Sequence, residues 1–112
     1  MESIQIFTTP ILDGYEITEY HGLVTARSVR AMNVFRDIMT QFRDLFGGRS
    51  ESYENIMDEL QLDALHELEI RTRDKGANAV VGLLIDFDNI GSKGNSLLMA
   101  FAKGTAVTIR KK

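Results

Sequence analysis

ANAVVGLLIDFDNI, residues 77–90, is the stretch on which the fold turns. Its first half is almost entirely apolar, which reads as a strand buried on both faces at its start. GSKGN, 91–95, follows as a turn. SLLMAFAKGTAVTIR, 96–110, then reads as the last strand, with Gly104 marking a bulge. Two such strands around one short turn make a long antiparallel hairpin.

Upstream of the hairpin the period changes from two to between three and four. Tyr53, Ile56/Met57, Leu60, Ala64 and Leu68 describe an amphipathic helix that runs to about Lys75, where Gly76 supplies a C-terminal cap. Its acids, Glu51, Glu54, Asp58, Glu59 and Asp63, crowd the front, and Arg71, Arg73 and Lys75 crowd the end. That order complements the helix dipole. An earlier amphipathic helix is expected over 27–46, from Val29, Met32, Phe35, Ile38/Met39, Phe42 and Leu45/Phe46, with Ser28 as its N-cap. Before it, YEITEYHGLVTA (15–26) reads as a strand with a bulge or close backbone approach at Gly22, and SIQIFT (3–8) as a short one. Pro10 and Asp13-Gly14 punctuate the link between them. The expected fold is therefore a two-layer α+β domain spanning 1–112. An antiparallel sheet is covered by two amphipathic helices in the order ββααββ.

FGGRSESYE (46–54) joins the two expected helices and poses a choice between a phosphate loop and a corner. A Walker loop needs spaced glycines and a lysine, and a dinucleotide loop must follow a strand. Neither holds here. The corner reading has Gly47 or Gly48 ending the first helix and Ser50 or Ser52 capping the second. Arg49 is then suited to a carboxylate of a neighbouring chain.

The bulk composition narrows the function. Net charge is −3 over 112 residues, so a nucleic-acid partner is not expected. No apolar run approaches the roughly 20 residues of a membrane span, and no signal peptide is visible after Met1, so a cytoplasmic protein is expected. With no cysteine, disulfides and thiol nucleophiles are excluded. Asp86 and Asp88 brush the EF-hand pattern, but Leu97 stands where a bidentate glutamate is needed. Asp63, His66 and Glu67 share one helix face without forming a Glu-x-x-His pair of copies or an HExxH motif. Helix 1 carries Arg27, Arg30, Arg36 and Arg43, and helix 2 is acidic at its front, so the two are read as complementary in charge. No Ser-His-Asp set is found. His21, with Glu19 two residues before it on a strand, is the candidate metal pair. It offers one imidazole and one carboxylate, so a divalent ion would need further ligands from other subunits.

FTTPILDGYEI (7–17), EYHGLVTA (19–26), NVFRDI (33–38), RDLFGGRSESYE (43–54), ANAVVGLLIDFD (77–88) and KGTAV (103–107) together resemble the YbjQ-like family, small bacterial proteins of uncharacterised role that carry the label of heavy-metal-binding domains. The most specific pieces are Phe35-Arg36-Asp37, Gly47-Gly48-Arg49-Ser50 and Gly76–Gly82. The resemblance implies α+β subunits that assemble into a homopentameric ring, so the expected partner is a further copy of the chain. It marks Phe35, Arg36, Asp37, Gly47, Gly48, Arg49 and Ser50 as interface or motif residues. Some relatives carry a cysteine where this chain has His21. A ligand-capable atom is kept there, while the thiolate that favours soft metals is gone. The expected function is a ring-forming binding or scaffold protein without enzymatic activity. The alternatives are a metal-binding protein with ligands from several subunits, and an enzyme on a small metabolite at a subunit junction.

Overall fold

A computed structural model describes residues 3–31, 51–90 and 97–112. In chain order the elements are β1 (Gln5–Ile6), β2 (Tyr15–Ala31), α1 (Glu51–Asp74), β3 (Ala79–Ile90) and β4 (Leu97–Lys111). The four strands form one curled sheet in the order β1-β3-β4-β2, with α1 packed on one face.

β3 and β4 pair antiparallel as the sequence leads one to expect, and the GSKGN turn, 91–95, lies outside the described residues. β4 is the central strand, antiparallel to both β3 and β2, and its residues alternate between buried and half-buried. Ala79, Val80 and Val81 are all buried, and they divide between two cores. Val80 joins Ile56, Leu60, Ala64, Leu68, Ala100, Ala102 and Ala106 beneath the helix. Ala79 and Val81 join Leu12, Val107 and Ile109 on the other face, where the 7–14 link folds over one end of the sheet. The alanines of β4 let α1 sit close to the sheet, and Leu60, Ala64 and Leu68 are fully buried there. The helix is rich in Glu and Leu, which favour helix formation. It ends in a Schellman motif: Gly76 N–H donates to the Arg73 carbonyl (2.9 Å) and Ala77 N–H to that of Thr72 (3.2 Å). Gly76 adopts the required left-handed φ of 83°.

The bulge expected at Gly104 lies opposite it. Register shifts between Val81 and Leu84, so the extra residue sits on β3, where Gly82 has φ 66°. Gly104 is needed for a different reason. A Cβ there would lie 2.5 Å from Val80 Cγ1 and 3.2 Å from the Val81 carbonyl oxygen.

Three expectations are corrected. First, the sheet is mixed: β1 runs parallel to β3, pairing Gln5 with Ala79 and Ile6 with Val80. Second, β1 is a two-residue ladder, shorter than the 3–8 expected. Third, a helix does not begin at Arg27. Arg27–Ala31 continue β2, and Ser28 is a mid-strand residue paired with Ala100 rather than an N-cap. The helical spacing of Val29 with later residues was outweighed by a β4 long enough to pair β2 as far as Leu97. The rest of the expected first helix, 32–46, and the Gly47–Ser50 corner lie outside the described residues. Ser52, one of the two expected caps, lies inside α1. Among the described residues there is thus one helix, and the order is ββαββ. No helix among them is long and apolar enough to cross a membrane.

Candidate functional site

Two bulges distort the first half of β2, between Ile17 and Glu19 and between Tyr20 and Gly22. Gly22 takes φ 91°, a conformation a side chain would strain, and nothing lies within 4 Å of where its Cβ would be. The glycine therefore serves the bulge and not a close approach. His21 is the extra residue of that bulge, and Thr18 is that of the other. Both turn towards Thr108 on β4. His21 Nε2 lies 2.8 Å from Thr108 Oγ1, and the Thr18 hydroxyl donates to the Thr108 carbonyl at 3.2 Å.

Glu19 reaches the same imidazole nitrogen, with Oε2 at 3.5 Å from Nε2. The expected pair is thus brought together, His21 half-buried and Glu19 largely exposed. It supplies one nitrogen and one carboxylate. Zinc takes three or four protein ligands. Among the described residues no three His, Cys, Asp or Glu side chains cluster to hold an ion. Within one copy the pair is an incomplete donor set, and Thr108 Oγ1 would have to release Nε2 for an ion to bind there. Thr108 and Thr18 were not singled out from sequence. Thr108 lies 87 residues from His21, and only the β2–β4 register joins them.

The other candidates are accounted for by ion pairing or by exposure. Arg30, on a strand and not on the expected first helix, bridges Glu59 (Nη1, 3.3 Å) and Asp63 (Nη2, 3.2 Å), while Arg36 and Arg43 lie outside the described residues. Arg71 bonds both Glu67 (3.1 Å) and the Thr25 carbonyl (2.9 Å). Arg110 pairs with Glu16. His66 is exposed on an open groove of about 510 Å³ lined by Ile6, Leu62, Asp63, Leu65 and Glu69. Asp86 and Asp88 are exposed on the sheet face away from α1. Phe35, Arg36, Asp37, Gly47, Gly48, Arg49 and Ser50 lie outside the described residues.

That far face is the least finished surface of the described chain. Leu23 (68% exposed), Leu84 (59%) and Val29 (48%) stand on it beside half-buried Met99 and Phe101. The Arg27 guanidinium lies 5.1 Å from the Phe101 ring centroid, a cation–π contact.

A model of the YbjQ family, described as “Putative heavy-metal-binding”, matches residues 4–110. This chain belongs to the YbjQ family. The YbjQ chain is also similar in fold to a crystal structure of a protein of unknown function of the DUF74 family from Pediococcus pentosaceus. The two are 20% identical, with a TM-score of 0.65 over 96% of this chain and 98% of that one.

Proposed function

We propose that this YbjQ-family chain is a ring-forming binding or scaffold protein, five copies to the ring, with no catalytic site of its own. The observation that carries this reading is the open sheet face. Among the described residues, α1 covers one side of the sheet, and the 7–14 link covers one end of the other. The remainder displays Leu23, Val29 and Leu84 to solvent. Large apolar side chains left exposed on one sheet face, interspersed with Arg27, Lys103 and Asp86, suit an interaction surface. Size-exclusion chromatography with light scattering tests the reading: the expected mass is a multiple of the 12.6 kDa chain, and a clean monomer at micromolar concentration overturns it.

A second reading is favoured by the 3.5 Å approach of Glu19 to His21 and by the description of the family. Here the two side chains form part of a divalent-ion site that other copies complete. Without cysteine, the donor set suits zinc, nickel or copper better than soft thiophilic ions. Titration calorimetry with each ion, repeated on His21→Ala, decides it. Binding that disappears in the variant supports the site, and identical isotherms dispose of it.

A further inference from the structure

Among the described residues the sheet has two unpaired edges as well as an open face. β2 is an edge strand of 17 residues; among the described residues no strand pairs with its outer side, and the one side-chain bond to its backbone in Leu23–Ala31 is that of Arg71 to the Thr25 carbonyl. β3 is the other edge beyond its start. β1 covers only Ala79 and Val80, and the following link adds bonds from Phe7 N–H to the Val80 carbonyl, from Gly82 N–H to Thr9 and from Leu83 N–H to Phe7. From Leu84 onward no described residue of the chain meets that edge. Long uncovered edges are a template for pairing, and proteins blunt them with proline, bulges or charged side chains. Neither edge carries proline over Leu23–Ala31 or Leu84–Ile90, and both bulges of β2 lie before Leu23; the charges they do carry are of opposite sign, Arg27 and Arg30 on β2 against Asp86 and Asp88 on β3.

We infer that the outer edge of β2, over Leu23–Ala31, pairs with the outer edge of β3, from Leu84 onward, of a second copy of the chain, so that the sheet continues from copy to copy. This rests on the self-assembling reading above and names the surface that would carry it. The directions agree. β2 and β3 each run antiparallel to β4, so they are parallel to each other, and one rotation brings the free β3 edge of one copy alongside the β2 edge of the next. Such a contact is heterologous, the kind that closes into rings.

The side chains agree too. The β4 register places residues of β2 and β3 on common levels: Thr25 with Leu84 across Lys103, Arg27 with Asp86 across Phe101, and Val29 with Asp88 across Met99. Parallel joining at these levels sets Arg27 of one copy beside Asp86 of the next, an opposite-charge neighbour pair. The alternative of two β3 edges joined antiparallel about Phe87 opposes Asp86 to Asp88 twice. Like charges directly opposed are destabilising.

The chain has no cysteine, so engineered pairs report without background. Within one copy Thr25 and Leu84 are two strands apart, about 9.5 Å at the usual strand spacing. That exceeds the roughly 7 Å limit for a disulfide, so any bridge between them joins two copies. The experiment oxidises Thr25→Cys/Leu84→Cys and Val29→Cys/Asp88→Cys, reading non-reducing gels beside light scattering. The expected result is a reducible ladder of covalent oligomers in at least one double variant and none in the single variants. An unchanged assembly mass with no ladder in either double variant overturns the edge pairing and leaves the assembly standing. Covalent dimers from Thr25→Cys alone overturn it in favour of a β2–β2 contact. A monomeric mass for the unmodified chain removes the reading on which the inference rests.

Discussion

Gly104→Ala isolates a packing constraint from any effect on backbone conformation. Gly104 is buried, and its φ is not in the left-handed region, so alanine is not strained there by its own backbone. The added methyl instead arrives 2.5 Å from Val80 Cγ1 and 3.2 Å from the Val81 carbonyl oxygen. Val80 is fully buried under α1 and cannot swing away, and the carbonyl belongs to the β3–β4 ladder. Overpacking of this kind costs about 1–3 kcal/mol. Contact with backbone as well as side chain places Gly104→Ala towards the upper end. Urea unfolding followed by circular dichroism reads this as a midpoint lowered by roughly 1–2 M, at a slope of about 1.5 kcal/mol/M. Protein concentration must be held fixed, because assembly would add to apparent stability. Val80→Ala removes the nearest clashing atom while itself leaving a cavity. The double variant should therefore lose at least about 1 kcal/mol less than the two single losses added together, the range in which contacting residues couple. Additive losses would refute the steric account of Gly104, and so would a Gly104→Ala variant as stable as the parent.

Leu60→Ala, at a fully buried site in the helix–sheet core, should cost about 2–5 kcal/mol by the same unfolding assay. Gly76→Ala keeps the helix but strains its left-handed cap at φ 83°, and a loss of about 1 kcal/mol in thermal or urea unfolding is expected. Arg30→Ala should cost under about 1 kcal/mol, because Arg30, Glu59 and Asp63 are all partly exposed, and the loss should shrink as salt is raised.

The hairpin and α1 were legible because local signals and tertiary demands agree there. Val80, Val81 and Leu83 are all buried in the strand that their apolar run announces, and Gly76 closes the helix with a motif set by local geometry. Arg27–Ala31 misled because Val29 fits a helical spacing with later residues equally well. Only the length of β4, a tertiary fact, makes the segment a strand. A parallel β1 of two residues is too short to leave any periodic trace. At the candidate site, the nearness of Glu19 to His21 followed from the strand alternation, whereas the bulge that turns His21 towards Thr108 was flagged only through Gly22. Thr108 itself was invisible, since nothing in a threonine near the C-terminus announces a partner 87 residues upstream.

Sedimentation equilibrium of the parent chain beside Leu84→Asp is the most direct measurement of whether sister copies finish the open sheet. Leu84 touches no buried core of its own copy, so the aspartate should leave the fold's circular dichroism unchanged. The account predicts a closed assembly for the parent and single 12.6 kDa chains for the variant at micromolar concentration. A parent that sediments as one chain, or a variant that assembles as well as the parent, would contradict it.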